Sequence, residues 1–235
     1  MESILGFQEI FSFSLFGYKI AVTETVVVSW VAMAVLILGS MLMVRRLKWV
    51  PSGPQALLET MIDALNKFSK DQFGERSRYI GHYIATLFLF LLVANLLPVL
   101  SPVAIFGREP GFIIKPPGRD INLTAALALV SIVLVIVCGI RARGFKSWLK
   151  HFAYPVPLMI PFTILEYGIR PLSLSLRLFG NVLGGFILMH LIAGVIPIGI
   201  PVVCSLYFDF FDSLIQAAVF SFLSTLYIAE AMKTE

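Results

Sequence analysis

The chain is 235 residues long, 58% hydrophobic and only 14% charged, with a formal net charge of +4. A soluble domain carries roughly 45–50% apolar and about 25% charged residues, so these proportions exclude an ordinary soluble fold and put the chain, 1–235, in a bilayer as a single membrane domain. A net positive charge would suggest nucleic acid in a soluble protein. Here most Lys and Arg collect in short loops beside apolar runs, which reports orientation, and no nucleic-acid partner is expected.

Glu2 and Glu9 precede the first apolar run and no small-residue cleavage site follows it, so the first span is expected to be retained rather than removed as a signal peptide. Residues 22–44 predict a transmembrane helix, closed by Arg45, Arg46 and Lys48 with Trp49 at headgroup level. Basic loops mark the cytoplasmic side, so the N-terminus is expected outside. Residues 53–73 set Leu57, Leu58, Met61, Ile62, Leu65 and Phe68 on one helical face and Glu59, Asp63, Asn66, Lys67 and Lys70 elsewhere, as in an amphipathic helix lying on the cytoplasmic surface.

Residues 79–103 return across the membrane, with Pro98 and Pro102 near their far end and an external Gly- and Pro-rich loop running to Arg119. Residues 120–140 cross back and are followed by Arg141, Arg143, Lys146 and Lys150 around Trp148, a second basic loop at the parity set by the first. The last third differs. As a helix, 162–194 would be about 50 Å long, against a hydrocarbon core of ~30 Å; Pro197, Gly199 and Pro201 mark a turn, and 202–232 is again overlong. Two strongly tilted helices forming a hairpin are predicted, with a cytoplasmic C-terminus. The fold class is an all-α integral membrane protein: three roughly upright spans, one surface amphipathic helix and this hairpin.

On the first long helix Glu166, Arg170, Ser173, Arg177, Asn181 and Gly184 recur at steps of three or four and share a side. At its centre Arg177 is flanked by Leu174, Leu176, Leu178 and Phe179. An arginine at bilayer depth costs from ~2.5 to more than ~10 kcal/mol, so it needs either a partner that locks the bundle or a function. Guanidinium keeps its proton, so Arg177 cannot relay one, but it can lower the pKa of an approaching carboxyl and act as a gate. Gly180, Gly184 and Gly185 would admit a close helix, whether from this chain or from another subunit.

On the second long helix Ser205, Asp209, Asp212 and Gln216 share a side, which Ser221 and Ser224 continue. With His190 nearby on the first helix, Asp209 and Asp212 would form a hydrated proton route, or else sit in interfacial water. Asp120 and Asn122 open the third span as an external vestibule or as a helix cap. His82 and His151 are read as structural, and Cys138 and Cys204 as small apolar residues without metal-ligand spacing. No H-E-x-x-H, P-loop, G-x-S-x-G or CxxC pattern is present, so no catalytic residue, metal or cofactor is expected of this chain by itself.

The run Arg170-Pro171-Leu172-Ser173-Leu174-Ser175-Leu176-Arg177-Leu178-Phe179-Gly180-Asn181 resembles the signature of subunit a of F-type ATP synthases. Ile164-Leu165-Glu166, Gln216-Ala217 with Tyr227, Asn95-Leu96-Leu97-Pro98, Asp120-Ile121-Asn122-Leu123-Thr124, and Gln55 with Glu59 extend the resemblance almost end to end. It implies a stator subunit of the rotary complex, facing a ring of c subunits and joined by peripheral-stalk b subunits in a bacterial inner membrane. It also implies two offset half-channels separated by Arg177, with Asn181 and Gln216 supporting the arginine and Glu166 and Asp209 at half-channel positions. The transported ion is H⁺ or Na⁺.

One position departs from the family. Many members carry a glutamate nine residues after the arginine, where this chain has Phe186; His190 with Asp209 is the candidate replacement. The rivals are a stand-alone secondary transporter, for which a repeated half and a second broken helix are missing, and a structural scaffold, which leaves Arg177 unexplained.

Overall fold

The computed structural model describes residues 9–15, 18–45, 51, 53–74, 77–97, 116–151, 158, 160–195, 204 and 206–233. It opens with an antiparallel hairpin of β1 (Glu9–Leu15) and β2 (Tyr18–Thr23), pairing Ser12 with Ala21 and Ser14 with Lys19. This hairpin departs from the all-α expectation. Its cause is local: Phe11-Ser12-Phe13-Ser14-Leu15 alternates apolar and polar residues with the two-residue period of a strand, and Ser12 and Ser14 are exposed. Val22 and Thr23 finish β2, so the first span starts at Glu24 rather than residue 22.

The helices that follow are α1 (Glu24–Val44), α2 (Pro54–Phe73), α3 (Ser77–Leu96), α4 (Ile121–Arg143), the short α5 (Phe145–His151), α6 (Ile160–Val195) and α7 (Asp212–Met232). A single 3₁₀ turn, Pro117–Arg119, leads into α4. Among the described residues five helices, α1, α3, α4, α6 and α7, are long and apolar enough to cross a membrane, and the chain is an integral membrane protein that is all-α in its spans. The predicted continuation of the second span from 98 to 103, and the turn containing Pro197, Gly199 and Pro201, lie outside the described residues.

The segment 202–232 is not one uniform α-helix. Leu206–Phe211 winds as a π-helix before α7 begins at Asp212, so the side shared by Asp209, Asp212 and Gln216 in a regular α-helix is redistributed. The sequence there is crowded with rings: Tyr207 stacks on Phe211 at 5.7 Å and meets Phe208 edge-on at 5.1 Å. A wider turn accommodates that stack.

Side-chain pairs fix which helix ends lie together. Glu24 and Thr25 at the start of α1 meet Arg119 and Asp120 at the start of α4. Tyr79 of α3, Arg141 of α4 and Met232 of α7 line one cavity at the opposite, basic end. Arg170, early in α6, meets Glu230, late in α7. α6 lies mainly against α4, and α7 mainly against α3 and α4, with a narrower contact between α6 and α7. Leu87, Leu91, Ala128, Leu174, Leu178 and Phe220 form the cluster where these helices converge.

Lipid tails are as apolar as leucine, so burial of apolar surface gives little net drive for helices to associate in a bilayer; close packing and interhelical hydrogen bonds supply it. The chain provides both. Thr124 and Ser175 hydroxyls meet at 3.2 Å between α4 and α6, Ser131 and Ser224 at 3.4 Å between α4 and α7, and Tyr83 and Ser131 at 3.1 Å between α3 and α4. Each such bond is worth ~0.6 kcal/mol on average, rising to ~1.7. Gly139 lets Trp148 of α5 approach α4 so closely that an added Cβ would lie 3.2 Å from the indole. The amphipathic α2 docks through Met61 and Leu65 on the central cluster and through Phe68, stacked on Phe222 of α7 at 5.2 Å.

Candidate functional site

α6 is 36 residues long. Leu174, Ser175 and Leu178 face the bundle and are buried, whereas Leu172, Leu176, Arg177, Gly180, Asn181 and Gly184 are exposed. Apolar residues on both faces suit a helix with lipid or another apolar partner on its free side, yet the middle of this free face carries an arginine and an asparagine.

The two arginines of the polar stripe have opposite environments. Arg170 is buried, donates to Glu166 Oε1 at 2.5 Å and Glu230 Oε2 at 2.8 Å, and lies 4.9 Å from the ring centroid of Tyr227 and 5.7 Å from that of Tyr167. Its charge is compensated on every side, in the geometry of a clamp joining α6 to α7. Arg177 lies on the exposed edge, and among the described residues no side chain pairs with it. The cost of an arginine at this depth is therefore met in one case by the chain's own carboxylates and in the other by nothing the described chain provides.

Glu166 is half-exposed and held by Arg170. Gln216 is buried on the packed face of α7 and donates to Asp212 Oδ1 at 3.3 Å, so Gln216 and Asp212 form a local polar pair at the head of that helix. His190 belongs to the last turns of α6 and Asp209 to the π-helical segment; their side chains lie outside the described residues. The two elements are adjacent where an added Cβ at Gly185 would sit 3.9 Å from Phe208. Gly180 and Gly184 have nothing of this chain within 4 Å of such a Cβ among the described residues.

Asp120 is the N-cap of α4: its Oδ1 accepts the Asn122 amide at 2.9 Å, and its Oδ2 accepts the Thr25 hydroxyl at 2.8 Å. Asn122 enters this arrangement through its backbone. The neighbouring Arg119 is almost fully buried, pairs with Glu24 at 3.6 Å, and lies 4.9 Å from the ring centroid of Phe186. Burial pulls the Arg119 pKa below the usual arginine value, while the carboxylates of Glu24 and Asp120 pull it back up. Sequence reasoning offered Asp120 as a cap or vestibule and missed Arg119 and its partners. The only signal was the Arg-Asp pair ending a Gly- and Pro-rich loop, and nothing in the sequence points to Glu24 or Phe186 as its partners. Among the described residues no group of three His, Cys, Asp or Glu side chains could hold a metal ion.

These features define a polytopic helical membrane protein whose longest helix offers, among the described residues, a cation without an ion pair on an exposed face. The ATP synthase A chain family matches residues 26–229, and the chain belongs to it: it is a non-catalytic membrane subunit of the ATP synthase complex, from a family with a role in ion translocation. It is similar to ATP synthase subunit a 1 of Crocosphaera subtropica, at 33% identity over 92% of this chain and 90% of the relative. It is likewise similar to ATP synthase subunit a of Moorella thermoacetica, at 35% identity over 89% of this chain and 91% of the relative.

Proposed function

We propose that the chain is the ion-conducting stator subunit of a rotary F-type ATP synthase, with Arg177 as the charged barrier between two offset half-channels. The observation that carries this reading is the bare cation: among the described residues Arg177 is exposed mid-helix without an ion pair, on the same free face as Gly180 and Gly184, where nothing lies within 4 Å of an added Cβ. A ring of c subunits, each bringing a carboxyl, fits both features, since the glycines admit a close helix and the carboxyl supplies the missing counter-charge.

In this mechanism an ion, H⁺ or Na⁺, enters one half-channel, neutralises a ring carboxylate, travels round through lipid, and is released when that carboxyl meets the fixed positive charge of Arg177. The arginine lowers the carboxyl pKa without taking part in proton exchange. One charge falling through 100 mV yields ~2.3 kcal/mol, so several passages combine for each ATP made elsewhere in the complex. Glu166, His190 and Asp209 are the candidate half-channel groups, with Asp120, Asn122 and Asp212 as candidate vestibule groups. Asn181 and Gln216 support the arginine, the latter through the head of α7.

α6 is about 54 Å long at ~1.5 Å per residue, so it runs strongly tilted in the membrane and lies along the ring rather than across it. The basic end of the bundle faces the cytoplasm of a bacterial inner membrane, with the N-terminus outside, the C-terminus inside and the b subunits of the peripheral stalk alongside. The decisive experiment is ATP-driven ion pumping and passive leak in vesicles bearing the assembled complex with Arg177→Ala, after co-purification has verified that the ring is attached. Loss of pumping with added leak is expected; undiminished pumping would remove Arg177 from the ion path.

A further inference from the structure

Away from the proposed ion path, a cavity of about 320 Å³ opens between the start of α3 and the ends of α4 and α7, with no described residue of α6 in its wall. This is within the ~300–1,000 Å³ of pockets that take small molecules. Its walls are apolar, built from Ile80, Leu134, Val137, Ile228 and Met232. Its inner side is closed by Tyr83, whose hydroxyl is engaged with Ser131, which in turn meets Ser224. At the mouth stand Arg141 and Tyr79, both exposed, a cation and an amphipathic ring of the kind found at headgroup level.

Among the described residues no Asp or Glu lines the cavity, Arg143 and Lys146 follow Arg141 in sequence, Lys233 caps the end of α7, and Glu230 has its carboxylate on Arg170. An apolar slot open at the basic end of a membrane bundle, lined at its mouth by an exposed guanidinium that has no ion pair among the described residues, matches a lipid that has an acyl chain and a negatively charged phosphate head. Basic pockets between membrane helices at the cytoplasmic surface bind such headgroups.

We infer that this cavity is a binding site for one anionic phospholipid, its acyl chain between α3, α4 and α7 and its phosphate on Arg141. The site lies against three helices that also meet through Tyr83, Ser131 and Ser224 and through the buried cluster of Ile84, Val135 and Ile228. It is independent of the ion path, so its failure leaves the reading of Arg177 untouched.

The test uses the assembled complex, stripped of lipid in detergent and reconstituted in nanodiscs of phosphatidylcholine. These contain a minor fraction of phosphatidylglycerol or, in parallel, phosphatidylcholine with a photoreactive acyl chain, and the labelled peptides are mapped by mass spectrometry. Phosphatidylglycerol is expected to label the cavity walls about fivefold more than phosphatidylcholine, the weight of one basic group at a membrane surface. Arg141→Gln should bring that ratio to about one, whereas Arg141→Lys should keep it. Equal labelling by the two lipids in the unaltered complex would overturn the site in favour of bulk lipid. Persistence of the preference in Arg141→Gln would overturn the assignment to Arg141. Walls unlabelled by either lipid would mean that another subunit covers the cavity, and would overturn the proposal as well.

Discussion

Replacing Arg170 by Met removes the charge that sits between Glu166 and Glu230. Its Nη2 is 2.5 Å from one carboxylate and 2.8 Å from the other, so the two acceptor oxygens are no more than about 5 Å apart, and without the guanidinium they face each other as like charges. At that distance the repulsion is about 3 kcal/mol for an effective dielectric of ~20 and about 1 kcal/mol in water. Both carboxylates are more than half exposed, at 54% and 59%, which moves the figure toward the lower value. Two charge-assisted hydrogen bonds and the contact with Tyr227 are lost besides.

A loss of about 2 kcal/mol is expected, or about 4–8 °C in the thermal midpoint for a chain of this size, read from heating the purified complex and following when this subunit dissociates. Arg170→Met combined with Glu230→Gln should recover part of the loss, because the second change removes the repulsion. A midpoint within about 1 °C of the parent, or a double variant worse than the single one, would refute the assignment of Arg170 as the clamp between α6 and α7.

In the subunit without the ring Arg177 is exposed and has no ion pair among the described residues, so Arg177→Ala should leave the thermal midpoint of the separated subunit within about 1 °C of the parent, although it abolishes pumping in the complex; a large drop would mean the arginine is a packing residue. Asp120→Ala should destabilise by about 1–3 kcal/mol by removing both the cap of α4 and the acceptor for Thr25. Thr25→Val, which keeps the cap and removes the bond to Asp120 together with the one shared with the Thr23 hydroxyl, should cost less in the same heating assay. Gly139→Leu should cut the yield of folded subunit, because its side chain would strike Trp148 and Ala231. Gly184→Leu meets open space within the chain and should leave yield unchanged while lowering the amount of ring that co-purifies.

The amphipathic face of α2, the four later spans and the overlength of α6 are legible in the sequence, since a 3.6-residue period and an unbroken apolar run leave few alternatives in a bilayer. The hairpin before α1 was also written there, in the alternation of Phe11 to Leu15, but the first predicted element starts with the span at residue 22 and leaves that alternation without an element. The π-helical winding of Leu206–Phe211 was not legible, because it depends on how Tyr207 and Phe211 stack.

For the site, the sequence by itself determined that arginines stand within the apolar run of α6, because residue spacing alone sets which groups share a helical side. It could not say which of Arg170 and Arg177 is neutralised, since that depends on α7 bringing Glu230 and Tyr227 beside the first and nothing in the described chain beside the second. In the same way tertiary structure brought Thr25 to the Asp120 cap, set Arg119 beside Phe186, and among the described residues left Gly180 and Gly184 open while closing Gly139. Spacing along one helix is a local property of the chain, whereas compensation of a charge depends on residues far apart in sequence that only the packing of α1, α4, α6 and α7 brings within reach.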